Sequence, residues 1–454
     1  MSQRKGGLRF QPAGGAKQSA IPVGKKQLLR IERLAHDGRG IAFEQGRTWF
    51  VAGALPEEQV RAEVLAVRSK VVEARTDQVL AASPQRQAAF CPHYGVCGGC
   101  TLQHLSSEQQ LIFKQQAVQE LLAKEGLQHL PWQPAITGAA QGYRRRARIA
   151  LYFSRKTRQL QVGFRALGST QIIAIDNCSV LEPALQQLYQ ALLPILQQLK
   201  QPEVLGHLEL FSGDQLAFFL RLVKPLATAD QQQLEQFAKQ QRVQFWWQLE
   251  TEPVLAAESG SSPDLSFAVE PGNLHLQWRP GDFIQVNAKV NQQMIQQALE
   301  WLELTPNSKV LDLFCGLGNF SLPLAQRAKQ VLGIEGAAAM VARAADNAAR
   351  NGLTNVEFIQ ADLTQPLSVQ LHRADFDRIL LDPPREGAYE LVQSLAEFKA
   401  ANIVYVSCNP ATLARDAAVL VQHGYTLHKI SVMNMFPQTG HIETMVSFRL
   451  SEHT

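Results

Sequence analysis

The chain contains no run of 18 apolar residues, so no segment is long enough to cross a bilayer as a helix. The opening segment also lacks the apolar centre of a secretory signal, and a cytoplasmic protein without a membrane partner is expected. Cysteine is scarce: Cys91, Cys97, Cys100, Cys178, Cys315 and Cys408 are the only six in 454 residues. That is too few to staple a chain of this size, and in a cytosolic protein such thiols serve as ligands or catalysts. Acid is absent from the first 26 residues, which carry Arg4, Lys5, Arg9, Lys17, Lys25, Lys26 and five glycines. Such a stretch cannot bury enough apolar surface to order itself. A disordered basic tail over residues 1–22 is expected, either solvated or laid against phosphates. Internal repeats are missing too. The formal net charge is only +4, so charge balance alone does not select a nucleic-acid partner.

What is present divides into about three parts. Residues 27–81 read as short β-prone runs (27–33, 40–43, 48–51, 59–67 and 71–79) broken by turns such as Glu44-Gln45-Gly46. Five strands in so short a length suit a small closed barrel of the oligonucleotide-binding type, decorated by Arg30, Arg33, Arg39, Arg47, Arg61, Arg68 and Lys70. A helix is expected over 107–125. Arg144, Arg145, Arg146, Arg148, Arg155, Lys156 and Arg158 then form an acid-free patch, to be read as a solvated strand face or as a phosphate track. The middle region looks α+β, with a loop at Ser259–Pro263. After Pro280, strands alternate with helices: strands at 309–314, 330–335, 356–360, 377–381 and 402–407, helices at 291–303, 319–328, 337–350, 388–397 and 411–422, and two closing strands. That alternation implies a parallel, doubly wound sheet that binds ligands beyond the carboxyl ends of its strands.

The run Asp312-Leu313-Phe314-Cys315-Gly316-Leu317-Gly318-Asn319 is a strand entering a glycine loop. Dinucleotide sites place a third glycine three residues further on; Ser321 stands there, so a pyrophosphate fits poorly. Glu335 ends the second strand, where an acid accepts from ribose hydroxyls, and Asp362 follows the third, where a carboxylate can accept from an adenine amine. Loop, ribose acid and adenine acid in that order suit S-adenosylmethionine better than NAD. Cys315, inside the loop, reads as a packing residue.

Strand four ends in Asp382-Pro383-Pro384-Arg385 and strand five in Ser407-Cys408-Asn409-Pro410. An aromatic after the two prolines would suit an exocyclic amine, and Arg385 stands in its place. A cysteine at a strand end beside a methyl donor suits uracil carbon 5, which becomes nucleophilic only after a thiolate adds at carbon 6. A base must later remove the carbon 5 proton. Glu443, in Gly440-His441-Ile442-Glu443, is the best-placed acid. The target base must leave its stack to reach such a site.

Cys91, Cys97 and Cys100 have the spacing Cys-x5-Cys-x2-Cys, and Cys178 lies 78 residues after the third. Four thiolates hold either zinc or an iron–sulfur cluster, and the glycines at 98 and 99 free backbone N–H groups for sulfur, which favours the cluster.

Asp-Pro-Pro-Arg, Ser-Cys-Asn-Pro and Phe436-Pro437-Gln438-Thr439-Gly440-His441-Ile442-Glu443 together resemble the RNA uracil-C5-methyltransferase family, over almost the whole chain from about residue 23. The resemblance implies that Cys408 is the nucleophile and Glu443 the base. It implies S-adenosylmethionine contacts at Gln285, Phe314, Asn319, Glu335, Asp362 and Asp382, and a [4Fe-4S] cluster on Cys91, Cys97, Cys100 and Cys178. It also implies that the barrel is a TRAM domain. It is nearest to the bacterial branch acting on uracil 1939 of 23S ribosomal RNA, and the joint presence of TRAM domain and cluster implies ribosomal rather than transfer RNA. One departure is Asn434, where an Asp is expected. The whole is then a basic tail (1–22), a TRAM domain (23–82), a central α+β domain with the cluster (83–280) and a Rossmann-like methyltransferase domain (281–454), expected to act as a monomer. Another uracil, in ribosomal or transfer RNA, and a non-catalytic RNA-binding assembly factor are the competing readings.

Overall fold

The computed structural model describes residues 21–250, 253–257, 264–367 and 375–451. The expected tail, except for residues 21 and 22, and the loop at 259–263 lie outside the described residues. The chain forms two compact bodies, one built from residues up to Pro84 apart from His36–Gly38, the other from the remainder.

The first body holds six strands: β1 (Lys26–Arg30), β2 (Arg33–Leu34), β3 (Gly40–Glu44), β4 (Arg47–Ala52), β5 (Gln59–Arg68) and β6 (Val71–Ala81), ordered β1-β5-β6-β4-β3-β2. The single run expected over 27–33 is two strands, because its first half pairs with β5 and its second with β3. Only Ile31 and Glu32 separate them, so the two edges of the sheet are consecutive in the chain and the sheet curls on itself. Alternate residues (Trp49 and Val51; Val60, Ala62 and Val64; Val72 and Ala74) fill the interior. The β3–β4 turn takes positive φ at Gln45 and Gly46, the geometry a two-residue hairpin needs. The basic decoration is partly spent internally: Arg47 is buried, Arg61 pairs with Asp77 at 2.6 Å and Arg39 lies over Phe50.

The second body opens with α1 (Ser107–Lys124), followed by a seven-stranded sheet of β7 (Arg146–Ser154), β8 (Gln159–Arg165), β9 (Ile172–Ala174), β10 (Leu205–Ser212), β11 (Leu216–Leu222), β12 (Gln244–Gln248) and β13 (Val254–Ala257). Its order is β13-β12-β11-β10-β7-β8-β9. One face, with Phe218, Leu220 and Leu222, packs on α2 (Pro183–Gln198) and α3 (Thr228–Gln241); the other, with Ala217 and Phe219, joins the core of the last sheet. The hairpin β14 (Leu265–Val269) and β15 (Leu274–Trp278) joins that same core.

The last sheet comprises β16 (Lys309–Leu313), β17 (Gln330–Glu335), β18 (Val356–Gln360), β19 (Arg378–Leu381), β20 (Asn402–Ser407), β21 (Tyr425–Met433) and β22 (Glu443–Leu450), ordered β18-β17-β16-β19-β20-β22-β21. The first five are parallel, and β22 runs antiparallel between β20 and β21. Its helices are α4 (Ala288–Leu302), α5 (Ser321–Ala325), α6 (Ala338–Arg350), α7 (Tyr389–Leu395) and α8 (Pro410–Gln422). Strand order reverses between β16 and β19, which opens a crevice at their carboxyl ends. α5 is shorter than expected because residues 314–320 are used in a loop with positive φ at Phe314, Gly316 and Gly318. No helix among the described residues is long and apolar enough to cross a membrane.

A buried polar seam fastens α1 to the loop between β21 and β22. Gln110 Nε2 donates to Gln438 Oε1 at 3.0 Å and to the Leu102 and Leu105 carbonyls, while its Oε1 accepts from Gln438 N at 2.9 Å. Replacing Gln110 with Leu strands these groups in the interior and is expected to cost about 1–3 kcal/mol. Denaturant midpoints check this: Gln110→Leu should fall well below wild type, whereas the exposed Gln116→Leu should stay within about 0.5 kcal/mol of it.

Candidate active site

A cleft of about 800 Å³ lies at the strand reversal. Of the eight residues expected for chemistry and cofactor, seven line it: Gln285, Phe314, Asn319, Glu335, Asp382, Cys408 and Glu443. Asp362 does not. It is exposed at the end of β18, and its Oδ1 accepts from Thr364 N at 2.9 Å and Thr364 Oγ1 at 2.7 Å, which holds its carboxyl below the usual carboxylate range.

The loop after β16 shapes one wall. Gly318 has φ of +91°, a left-handed backbone that glycine adopts without strain. Ser321 donates to the buried Asp312 carboxylate beneath the loop, which accounts for a serine where a dinucleotide site has glycine. Asn319 and Asn291 exchange paired amide bonds of 3.0 Å that fix the Asn319 side chain. Glu335 accepts from Gly316 N at 3.3 Å and Ala337 N at 3.0 Å, presenting a braced carboxylate at the end of β17. Cys315 is buried, and burial drives its thiol far up.

Strand pairing creates the other wall. β20 and β22 are antiparallel with Ser407 opposite Thr444, so Cys408 leaves one strand where Glu443 enters the next. Asp382 ends β19, the neighbour of β20 on its other side. Cys408 precedes the cap of α8, Asn409, whose side chain accepts from Ala411 N at 3.1 Å. Burial, then Glu443 and Asp382, push the half-buried Cys408 thiol up to about 11. Burial followed by Asp382 raises Glu443 to about 8, against the opposing pull of Lys114 and Arg385. Burial raises Asp382 to about 7. Three acidic groups therefore crowd one wall, each biased toward its neutral form, and a cation in the cleft would favour ionising all of them.

The four remaining cysteines, Cys91, Cys97, Cys100 and Cys178, line a separate pocket of about 200 Å³. Gly99 N donates to Cys97 Sγ at 3.4 Å, and burial pushes Cys97, Cys178 and Cys100 up, the last to about 11. His93 pairs with Asp176 at 3.7 Å. Among the described residues no group of three or more His, Cys, Asp or Glu side chains converges closely enough to hold a metal ion.

The acid-free patch, read as a solvated strand face or a phosphate track, divides into buried and exposed members. Arg145 is buried, donating to Gln285 O at 2.7 Å and lying over Phe267, and Arg146 reaches the Asp282 carbonyl and Glu209. Arg155, Lys156 and Arg158 remain exposed. Two residues at the site escaped notice in the sequence. Arg144 lines both the cleft and the cysteine pocket, one residue in a patch read only by its charge. Lys114, wholly buried, donates to Asn434 Oδ1 at 2.9 Å; its signal was a cation one turn after Gln110 among the apolar residues of α1.

The tRNA (Uracil-5-)-methyltransferase family model matches residues 106–450, and the TRAM domain model matches residues 22–76. The chain belongs to the tRNA (Uracil-5-)-methyltransferase family. A Pseudomonas putida relative named 23S rRNA (uracil(1939)-C(5))-methyltransferase RlmD is 54% identical over 452 residues, 99% of each chain. A Pseudomonas aeruginosa protein of the same name is 50% identical over 450 residues, again 99% of each. The Pyrococcus abyssi tRNA (uracil-54, C5)-methyltransferase, solved with S-adenosyl-L-homocysteine, superposes with a TM-score of 0.71 at 24% identity, covering 93% of this chain and all of that one. The fold therefore extends through nearly the whole length of a protein named for transfer RNA.

The wall electrostatics predict how Cys408 reacts in the ligand-free protein. At pH 9 an ionised Glu443 opposes the thiolate, so Glu443→Gln should lower the Cys408 pKa and speed its alkylation by iodoacetamide several-fold. Peptide mass mapping of the alkylated cysteine over time measures this, and an unchanged rate would contradict the coupling.

Proposed function

We infer that this protein transfers a methyl group from S-adenosylmethionine to carbon 5 of a uracil in 23S ribosomal RNA, at uracil 1939, with Cys408 as nucleophile and Glu443 as base. The observation that carries this is the apposition of Cys408 and Glu443, across the β20–β22 pairing, on the same cleft as the glycine loop and Glu335. The choice of uracil rests on the relatives of about half identity over their full length.

The cleft suits the cofactor: Glu335 offers a braced carboxylate for ribose hydroxyls, and the wall of acidic groups favours a cation. S-adenosylmethionine, when bound, supplies an electrophilic methyl group and a positive sulfonium. Gln285, Phe314, Asn319, Glu335 and Asp382 are proposed to hold it, with Asp362 accepting from the adenine through the oxygen that Thr364 leaves free.

Cys408 Sγ, as thiolate, adds to carbon 6 of the uracil; the carbon 5–carbon 6 π bond breaks and its charge spreads to the carbon 4 oxygen. Carbon 5 then bonds the methyl carbon as the methyl–sulfur bond breaks, releasing a neutral thioether. Glu443 takes the carbon 5 proton, those electrons restore the double bond, and the carbon–sulfur bond breaks to return the thiolate. The position of Cys408 before the α8 N-terminus favours its ionised form.

Cys91, Cys97, Cys100 and Cys178 are proposed to hold a [4Fe-4S] cluster. The four line one pocket. The Gly99 N–H aimed at Cys97 Sγ is a bond that tunes such clusters. When bound, the cluster would brace the central region; the methyl transfer needs no step on it. Residues 23–82 are proposed to bind RNA, 83–280 to carry the cluster and 281–454 to perform the transfer, in a cytoplasmic monomer.

Ribosomal RNA fragments carrying 5-fluorouracil test the chemistry, because fluorine at carbon 5 cannot be abstracted. With S-adenosylmethionine, a covalent RNA–protein band should survive a denaturing gel for the fragment containing uracil 1939, and Cys408→Ala should remove it. Glu443→Gln should trap ordinary uracil RNA in the same way, and free turnover by that variant would exclude Glu443 as base. Iron and sulfide assays on anaerobically purified protein should find about four of each per chain; one zinc per chain would overturn the cluster.

A further inference from the structure

Lys114 is a buried cation without a part in the chemistry so far. It projects from α1 and is 0% exposed. Its Nζ donates to Asn434 Oδ1 at 2.9 Å and to the Phe436 carbonyl at 3.1 Å. Both acceptors lie in the loop that carries the chain from β21 to Glu443, and Gln110, one turn earlier on α1, holds Gln438 in the same loop. Neither acceptor is an anion. Asn434, itself 2% exposed, stands where a carboxylate would have closed a buried ion pair. A buried ammonium given only neutral acceptors is costly, and its unscreened field acts on the nearest carboxylate. The loop it holds leads to Glu443, the carboxylate whose charge acts on Lys114.

We propose that Lys114 is a positioning residue for the base: it clamps the 434–436 turn that delivers Glu443 and places on that loop a buried positive charge, left uncancelled by the amide at 434, that favours a carboxylate at 443. This rests on the reading of Glu443 as the base. The groups facing Glu443 are Asp382 from the end of β19, Cys408 from the end of β20, Arg385 from the loop after β19 and Lys114 from α1. The first two oppose its charge. Arg385 favours it but is exposed, and solvent weakens its field; Lys114 has no such screening. Burial brings Lys114 down to about 7, with Glu443 holding it up, so the pair stabilises each other's ionised forms.

The sign follows. Removing the Lys114 charge raises the Glu443 pKa, so the acidic limb of proton abstraction moves to higher pH. Lys114→Gln keeps N–H donors for Asn434 and Phe436 while deleting the charge. Its turnover on uracil RNA should have an acidic limb displaced upward by about one pH unit, which is roughly tenfold slower release at pH 7. The 5-fluorouracil adduct, which needs Cys408 but not the base, should still form. Lys114→Arg should restore the wild-type limb. A folded Lys114→Gln, judged by its melting curve, with the wild-type limb overturns the proposal. Should that variant not fold, Asn434→Asp decides: a carboxylate there cancels the ammonium, and the limb must move up; an unmoved limb overturns the proposal. If wild type forms no adduct, the reading of the site fails and takes this one with it. If wild type forms the adduct and Glu443→Gln traps uracil RNA while the limb stays in place, the proposal alone fails.

Discussion

The antiparallel insertion of β22 between β20 and β21 is the constraint on which the site depends. A sheet of parallel strands presents only carboxyl ends at its ligand edge, so every side chain there arrives at the finish of a strand. Cys408 and Asp382 arrive in that way. Glu443 arrives at a beginning, because β22 runs the other way, and the Ser407–Thr444 register sets it beside Cys408. A slip of one residue would turn the carboxylate to the opposite face of the sheet. Adjacent backbone bonds thus hold Cys408 and Glu443 at one height, and the cleft between them inherits the rigidity of a buried ladder.

That rigidity brings together groups that repel one another. Asp382, Cys408 and Glu443 share one partly desolvated wall, and each is held toward its neutral form in the empty cleft. Two cations oppose this at Glu443, the buried Lys114 and the exposed Arg385, while Arg144 lines both the cleft and the cysteine pocket. Arg145 and Arg146, next in sequence, are engaged instead in holding the segment around residues 282–285. One short arginine run therefore serves structure and site together.

Much of this was legible in the sequence. The alternation of strands and helices after residue 280 set out the doubly wound sheet, and the strand-end positions of Asp382 and Cys408 followed from it. Periodicity did not reveal that residues 27–33 change partners midway, because a strand break that swaps neighbours leaves the apolar alternation intact. Charge in a sequence carries no direction: Arg145 and Arg155 look alike, yet one is buried and the other exposed. Asp362 was read from strand order alone, which cannot show that Thr364 captures one of its oxygens. Lys114 lies 329 positions before Glu443, and no local pattern links residues so far apart.

The polar seam on α1 also bears on how the chain can be divided. A fragment starting near residue 281 would contain the sheet, the glycine loop, Cys408 and Glu443. It would lack Gln110 and Lys114, and also Trp132 and Ile136, which bridge to Ile430 and Met433 on β21. The catalytic half is therefore not a portable cassette: its last loop is completed by residues that precede the central sheet. Trimming the upstream segment would remove the partners that hold the loop leading to Glu443.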